Sequence, residues 1–187
     1  MRITGGEFGG LNLSVPKSER IRPTQDRVRE ALFSMLQNEI PGSDFLDLFA
    51  GTGSAGLEAL SRGAKSATFV ETDAKHLAVL QANVRFCLKG ERAAAATVVR
   101  ADVYRWISSY SGPGFSVAFA DPPYALGEDR GYAGVLADMA KRAVVCPGGI
   151  FIAEMTAGQK AEEIPRWELI RDRTYGKTRL AIWRFLL

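Results

Sequence analysis

The sequence predicts an α/β fold of the Rossmann-like type, in which helices cover both faces of a mostly parallel sheet. Three observations predict it. Strand-like and helix-like segments alternate from residue 43 onward, a glycine-rich turn follows the first of these strands, and the last two strand-like segments lie only two residues apart. Such alternation produces parallel strands covered by helices, and 187 residues suffice for one such domain with a short appendage.

Five apolar runs in the alternating region are interpreted as strands, with helical patterns between them. The second helical pattern is the clearest, because its apolar residues form one stripe and Gly90 ends it. The predicted strands are 44–49, 67–71, 96–100, 116–120 and 149–154, and the predicted helices are about 54–62, 74–89, 103–109 and 130–143.

The C-terminal segments depart from a simple alternation. Residues 167–175 and 178–186 are both strand-like and only Gly176 and Lys177 separate them, so we expect an antiparallel hairpin. A parallel sheet that ends in an antiparallel hairpin is the layout of the class I methyltransferase fold.

The N-terminal region has a different pattern. Residues 2–15 contain two short polar–apolar alternations separated by glycine pairs, which predict a small hairpin outside the main core. Thr24 is the predicted N-cap of a helix that ends before Pro41. We therefore predict a hairpin-and-helix extension at 1–42 and a main domain at 43–187.

Charge is concentrated at the two ends of the chain. The formal net charge is only +3, but residues 1–29 carry six basic and three acidic side chains, and residues 166–187 carry six and two. Arginine-rich ends suit contacts with phosphate groups. An ordinary solvated surface that is rich in arginine is the alternative.

Composition argues against several classes of protein. No apolar run approaches the roughly 20 residues that cross a bilayer, and the first residues lack the apolar core of a secretory signal. Cys87 and Cys146 have no metal or redox spacing, and His76 is the only histidine. We expect a cytoplasmic protein with reduced thiols, no metal site and no membrane contact.

A glycine-rich motif connects the first strand to the first helix of the main domain. Gly51, Gly53 and Gly56 satisfy the G-x-G-x-x-G pattern, and Glu71 follows Gly51 by 20 residues at the end of the second strand. Glycines permit a tight turn and a close approach of backbone N–H groups to a ligand. Glu71 is placed to accept hydrogen bonds from ribose hydroxyls.

Asp47 favours S-adenosylmethionine over a dinucleotide. A carboxylate four residues before Gly51 would attract the cationic amino and sulfonium groups of that cofactor and repel a pyrophosphate. Asp102 is placed to bind the adenine amine. Asp47 could instead bond to loop amides, and Asp102 could cap a helix; Asp73 is better explained as such a cap. The predicted cofactor contacts are Asp47, Phe49, Gly51, Gly53, Gly56, Glu71, Thr72, Asp102 and Val103.

A second motif, Asp121-Pro122-Pro123-Tyr124, follows the fourth strand beside the expected cofactor crevice. Prolines stiffen the loop and leave carbonyls free to face a ligand. The Asp121 carboxylate and the Pro122 carbonyl could accept both N–H bonds of an exocyclic amine and so localise its lone pair. Tyr124 could stack on the base that carries the amine. This chemistry predicts amino-methylation of a base; a rigid surface turn is the alternative.

The chain resembles the RsmD family, the bacterial methyltransferases that modify the N2 amine of guanine 966 in 16S ribosomal RNA. The family often has Phe where Tyr124 stands, and the ring is kept. The resemblance covers essentially the whole length, and its motifs are Arg2-Ile3-x-Gly5-Gly6, Arg22-Pro23-Thr24 with the helix after it, Asp47–Gly53, Gly56–Ala64, Asp121–Tyr124 and Tyr175-Gly176-Lys177-Thr178.

The resemblance implies a substrate, a cofactor and a role for the N-terminal segment. The cofactor is S-adenosylmethionine, the substrate is 16S ribosomal RNA in the small ribosomal subunit or its precursor, and residues 1–42 help to hold that RNA. We expect a monomer. The implied RNA-binding residues are Arg2, Arg20, Arg22, Thr24, Arg27 and Arg29.

Two other functions stay open on the sequence. A DNA amino-methyltransferase could use a similar tetrapeptide, but only about 25 residues separate Tyr124 from the next strand, which leaves no room for a recognition insert. A non-catalytic RNA-binding or ribosome-assembly factor could retain the fold. The intact acids Asp47, Glu71 and Asp121 argue against that function. An NAD-dependent oxidoreductase is more distant.

Overall fold

A computed structural model describes residues 1–16, 23–122 and 131–187. The helices α1–α5 are Pro23–Met35, Ser54–Ser61, Ala74–Cys87, Val103–Ser109 and Gly131–Lys141, and a 3-10 helix spans Gly90–Ala95. The strands β1–β7 are Asp44–Leu48, Ser66–Glu71, Ala96–Arg100, Phe115–Ala120, Val145–Thr156, Trp167–Tyr175 and Thr178–Phe185. All the predicted strands of the main domain are present, and the 3-10 helix is an addition.

The seven strands form one sheet in the order β3-β2-β1-β4-β5-β7-β6. Strands β1 to β5 are parallel to one another, and β7 is antiparallel to both β5 and β6. Gly176 adopts a φ of 60° in the turn of the terminal hairpin, a conformation that glycine reaches without strain. The predicted class I methyltransferase fold is confirmed.

Strand β5 begins four residues before its predicted start. Phe115 of β4 pairs with Val145, but Val117 pairs with Ile150, so extra residues of β5 are accommodated between the two pairs. Gly148, with a φ of 80°, lies in this bulge. Beyond the bulge the register is regular, and it sets which residues of β4 and β5 lie side by side at the carboxyl end of the sheet.

Two apolar clusters lie on opposite faces of the sheet. One face packs against α1, α2 and α3, where Phe33 stacks on Phe45 with ring centroids 6.2 Å apart. The other packs against α4 and α5 and includes residues of the terminal hairpin, among them Trp183, which is fully buried beside Phe151. Each such side chain contributes about 1.5–3 kcal/mol to folding, so the sheet is a rigid platform for the groups at its carboxyl edge.

The N-terminal segment belongs to the first of these clusters, so the prediction that it lies outside the main core is wrong. Ile3, Phe8 and Leu13 are buried in the same cluster as Leu57 and Phe69. The segment folds back on itself through an isolated antiparallel bridge rather than two strands. The polar–apolar alternation predicted a small hairpin with one polar and one apolar face. It could not show that α2 covers the apolar face. The boundary between residues 42 and 43 stays a prediction.

Helix α1 begins at Pro23, one residue before the predicted N-cap. Proline is favoured at a first helical position because its fixed φ suits the helix and its missing N–H costs no hydrogen bond there. The N-cap position therefore precedes Pro23 and lies outside the described residues, so Thr24 is within the helix.

Candidate active site

The candidate site lies where the strand order reverses, between β1 and β4, at the carboxyl ends of the parallel strands. Ligands of open α/β sheets bind at this point because the loops on either side diverge and leave a crevice. Asp47 is in β1, Glu71 ends β2, and Asp121 directly follows β4. The fold thus brings together acids that are up to 74 residues apart in the sequence.

The three glycines of the turn have different physical roles. A Cβ on Gly56 would lie 2.2 Å from the Phe69 ring, and one on Gly53 would lie 2.3 Å from the Leu80 side chain. These two positions are glycine because helix α2 packs closely on β2 and α3. Gly51 has a φ of 54° and only open space where a Cβ would stand. Of the three, Gly51 is therefore the one whose backbone can be approached closely by a ligand.

Phe49 is strained at the entrance to the turn. Its φ is 60°, a conformation that costs a non-glycine residue on the order of 1–3 kcal/mol. Its ring makes an edge-to-face contact with Tyr104 of α4 at a centroid distance of 6.0 Å. Contact of Phe49 with the cofactor stays a prediction.

Asp47 is almost fully buried, with 1% of its surface exposed. Its Oδ2 accepts a hydrogen bond of 2.9 Å from the Gly56 N–H, which is the loop-amide contact that the sequence left open. Burial raises the pKa of Asp47 well above its ordinary value, the Gly56 N–H partly lowers it, and the negative charges of Asp121 and Glu71 raise it further. Contact with the cofactor stays a prediction for this carboxyl group.

Glu71 connects the loops that follow β1 and β2. Its Oε2 accepts from the Gly51 N–H at 2.7 Å, and its Oε1 accepts from the N–H groups of Thr72 and Asp73 at 2.8 and 2.7 Å. A carboxylate has about four acceptor positions, so Oε2 retains one for a ribose hydroxyl. The predicted contribution of Thr72 is, in this structure, a backbone N–H that orients Glu71.

Asp102 caps α4 through a hydrogen bond of 3.0 Å from the Arg105 N–H to its Oδ1, the alternative noted from the sequence. Its side chain is exposed, whereas Val103 beside it is buried. Asp73 caps α3 by accepting from Lys75 and His76, as predicted. An adenine contact for Asp102 stays a prediction.

Asp121 is exposed at the edge of the sheet, directly after β4. The surrounding protein removes water from its carboxyl group and raises its pKa to about 6. Pro122, the next residue, is half-buried. Pro123 and Tyr124 lie outside the described residues, so the stacking role of Tyr124 stays a prediction.

The sequence prediction missed Glu154. This half-buried residue lies in β5, on a pocket that it shares with Asp121, Arg29 and Met1. A signal was present, because Glu154 is an acid near the end of the apolar run 150–155, just as Asp121 follows an apolar run. Burial and, to a smaller extent, the Asp121 charge raise the pKa of Glu154 to about 8, and Arg29 opposes them.

The predicted RNA-binding residues fall into separate groups. Arg2 and Arg27 are exposed. Arg29 is only 8% exposed, and its guanidinium donates to Asp26, to Glu58 and to the Arg2 carbonyl. A buried guanidinium with these partners is poorly placed for a phosphate at the surface, so we assign Arg29 a structural role instead. Arg20, Arg22 and the side chain of Thr24 lie outside the described residues.

Glu58, which is fully buried in α2, joins the N-terminal segment to the main sheet. Its carboxylate accepts from the Thr4 N–H and the Thr4 hydroxyl, both at 2.7 Å. It also accepts from Arg62 Nε at 2.8 Å and lies 3.4 Å from Arg29 Nε. Because α2 starts at the glycine turn, this cluster couples the N-terminal segment to the crevice.

Asn83 makes a second connection of this kind from α3. The side chain is 1% exposed. Its Oδ1 accepts from the Ser14 N–H at 2.9 Å, and its Nδ2 donates to the carbonyls of Ser14 and Thr52 at 3.0 and 2.9 Å. Thr52 belongs to the glycine turn, so the end of the N-terminal segment is bonded to the same loop.

Within residues 1–16, 23–122 and 131–187, three or more His, Cys, Asp or Glu side chains do not come together in an arrangement that could hold a metal ion. None of the helices in these ranges combines the length and the apolar character needed to cross a membrane.

Comparisons with known proteins agree with this architecture. The model of the family "Conserved hypothetical protein 95" matches residues 1–184. The chain is 34% identical over 194 residues to "Ribosomal RNA small subunit methyltransferase D" of Escherichia coli K12, covering 98% of this chain and 89% of that one. The protein of the same name from Haemophilus influenzae is 33% identical over 184 residues, covering 94% and 89% of the two chains.

Solved structures give the same result. The Escherichia coli protein yhhF superposes with a TM-score of 0.85 at 30% identity, and the match covers all of this chain and 98% of that one. A hypothetical protein of Thermus thermophilus superposes with a TM-score of 0.75 at 34% identity, covering 97% and 98%. Similarity over nearly the full length includes the N-terminal segment as well as the sheet.

Proposed function

The chain belongs to the "Conserved hypothetical protein 95" family, the RsmD family that its motifs resemble, and from this we propose that it methylates the exocyclic N2 amine of a guanine in small-subunit ribosomal RNA. The methyl donor is S-adenosylmethionine. The observation that carries the proposal is the position of Asp121, which follows β4 at the switch point, next to the glycine turn and beside a pocket. Relatives of this chain carry the name of a ribosomal RNA methyltransferase.

The residues of the crevice fit S-adenosylmethionine. Gly51 offers a backbone with open space beside it, and Glu71 keeps an acceptor position for a ribose hydroxyl. Asp47 would face the amino group of the cofactor, and Asp102 and Val103 would hold its adenine. When bound, the cofactor supplies an electrophilic methyl group on a sulfonium. The carboxylates that face it favour its positive charge.

Asp121 and Pro122 act on the nucleophile. The lone pair of an exocyclic amine is delocalised into the base, so the amine reacts poorly until its geometry changes. An ionised Asp121 carboxylate and the Pro122 carbonyl accept the two N–H bonds and favour a pyramidal nitrogen. Positive charge develops on that nitrogen as the methyl group arrives, and the neighbouring carboxylate stabilises it in the transition state.

The N-terminal segment supplies the surface for RNA. It packs against α2 and brings exposed Arg2 close to the pocket, where Met1 is a lining residue. Arg27 is exposed on α1. Contacts of these guanidinium groups with phosphates position an RNA without reading its sequence. We propose that the protein acts as a cytoplasmic monomer on the small ribosomal subunit or its precursor, and that guanine 966 is the target.

A radiolabelling experiment tests the function. The protein is incubated with S-adenosylmethionine labelled in the methyl group and, separately, with unmodified small ribosomal subunits, naked 16S ribosomal RNA and duplex DNA. The expected product after digestion is N2-methylguanosine from the ribosomal substrate. Label mainly in DNA, or in a different nucleoside, would overturn the assignment, and a lack of transfer to any nucleic acid would favour an assembly factor without catalysis.

The rate of methylation is expected to depend on pH through Asp121. The pKa of this group is raised to about 6, so the carboxylate is protonated at pH 5 and largely ionised at pH 7. Only the ionised form stabilises the positive nitrogen, so kcat/KM should rise with pH through about 6 and approach its limit near pH 7. Initial rates between pH 5 and 7, with circular dichroism as the folding control, check this. A flat profile or one that falls with pH contradicts it.

A further inference from the structure

Glu154 lies beside Asp121 at the carboxyl edge of the sheet. Ala120 of β4 pairs with Ala153 of the parallel strand β5, so the residues that follow them, Asp121 and Glu154, occupy adjacent positions. Neighbouring strands lie about 4.8 Å apart. Both side chains line one pocket with Met1, Arg29, Leu32, Ser54, Ala55 and Phe119. Two carboxyl groups therefore reach the same space from neighbouring strands.

The carboxyl group of Glu154 has an unusual environment for an acid. The preceding residues Ile150–Ala153 and the following Met155 are buried and apolar. Among the described residues, hydrogen bonds and ion pairs do not reach its carboxyl oxygens; Tyr132 donates to its backbone carbonyl. The nearby Arg29 guanidinium is bonded to Asp26 and Glu58. A half-buried acid that lacks a hydrogen-bond partner among these residues lowers the stability of the folded protein. Functional sites commonly carry such a cost, so this environment is expected where a ligand binds.

We propose that Glu154 is a specificity-determining residue that hydrogen-bonds to the N1–H and O6 edge of the target guanine while Asp121 and Pro122 hold its N2 amine. This inference rests on the proposed function and names the group that selects guanine. The amine, N1–H and O6 follow one another along one edge of the base, and the two acids stand side by side in the same pocket.

The chemistry of Glu154 matches this edge. Burial raises its pKa to about 8, with the Asp121 charge adding to the effect and Arg29 opposing it, so the group is mainly a neutral acid near pH 7. A neutral carboxyl group has an oxygen that accepts from N1–H and an O–H that donates to O6. Asp121, with the lower pKa, keeps the negative charge that the reacting amine requires.

Other bases with an exocyclic amine do not match. Next to its amine, adenine has a ring nitrogen without hydrogen and then a C–H, so only one of the two hydrogen bonds can form. Cytosine has two acceptors in a row next to its amine, so the accepting oxygen of the Glu154 carboxyl group finds no donor and again only one of the two hydrogen bonds can form. A site that offers hydrogen bonds rejects a ligand that cannot complete them.

The test compares guanine with 2-aminopurine at the target position of small-subunit ribosomal RNA assembled into subunits. 2-Aminopurine keeps the N2 amine but lacks both N1–H and O6. Wild-type protein should prefer guanine by roughly 10- to 100-fold in kcat/KM, since two hydrogen bonds are lost with the analogue. Glu154→Ala should lose this preference by slowing methylation of guanine and leaving the rate for 2-aminopurine nearly unchanged.

Two matched variants separate recognition from folding. Glu154→Gln keeps an acceptor oxygen and an N–H donor, so it should retain the preference for guanine. Glu168→Gln, at an exposed position of β6, should behave as wild type. Thermal unfolding of each variant identifies any that do not fold. If Glu154→Ala does not fold, the preference of Glu154→Gln for guanine over 2-aminopurine is measured instead, and its loss overturns the role of Glu154.

The outcomes distinguish this inference from the proposed function. The role of Glu154 is overturned if Glu154→Ala slows both substrates by the same factor, if it keeps the preference for guanine, or if Glu154→Gln loses that preference. In all these cases wild type still methylates guanine. If wild type methylates neither RNA, the proposed function itself fails, and the inference fails with it.

Discussion

Replacing Asp121 with alanine is expected to lower the rate of methyl transfer by about 10³-fold. The substitution removes the charge that stabilises the developing positive nitrogen and one of the two acceptors that hold the amine. The Kd of S-adenosylmethionine should stay the same, because the cofactor residues Asp47 and Glu71 are intact. Single-turnover transfer of labelled methyl groups to small ribosomal subunits measures the first quantity, and calorimetry measures the second.

Asp121→Asn is the matched control for this prediction. The amide keeps an acceptor oxygen but has no charge, so the loss should be smaller, roughly 10- to 100-fold. Neither variant should unfold more easily than wild type near pH 8, because an acid whose pKa is raised by desolvation is a cost to the folded state once it is ionised. Retention of more than a tenth of the wild-type rate by Asp121→Ala would contradict the catalytic role.

Replacing Glu58 with alanine is expected to destabilise the protein by about 3–5 kcal/mol. Its buried carboxylate is paired with Arg62 and with Arg29; without it Arg62 would lose its acidic partner and the buried Arg29 would keep only Asp26. Thr4 would also lose two hydrogen bonds, which hold the N-terminal segment on α2. Urea unfolding followed by tryptophan fluorescence measures the change in the free energy of unfolding.

A control on α1 isolates the effect of burial. Glu30→Ala removes an acid from an exposed position and should change the free energy of unfolding by less than about 0.5 kcal/mol. Glu58→Gln should be intermediate, since its amide oxygen still accepts a hydrogen bond but no longer neutralises two arginines. If Glu58→Ala costs no more than Glu30→Ala, the cluster does not hold the N-terminal segment in place.

The fold could be predicted from the sequence because its signals are local. Alternating apolar runs and helical stripes indicate strands and helices wherever they occur, and the short Gly176-Lys177 connection permits only an antiparallel hairpin. The bulge in β5 and the burial of Ile3, Phe8 and Leu13 were missed. Both depend on which distant element packs against the segment, and periodicity carries no such information.

The site was predicted unevenly for the same reason. Asp47, Glu71 and Asp121 lie at or near the ends of strands within short motifs, and the structure brings them to one edge of the sheet. The resemblance implied that Arg29 binds RNA, yet its guanidinium donates hydrogen bonds to Glu58 and to the Arg2 carbonyl within the protein. Glu154 has no motif around it, and only the register of β4 with β5 places it next to Asp121.

The sequence by itself determined the order of the elements, the glycine turn and the position of Asp121, since each depends on residues that are close together in the chain. Tertiary structure decided which partners the charged groups have. It buried Glu58 between two arginines and hydrogen-bonded the Glu71 carboxylate to the loop amides. It also placed Glu154 in the pocket that Asp121 lines. The reason is physical: the ionisation and accessibility of an acid depend on the surrounding dielectric and charges, and packing between distant segments creates both.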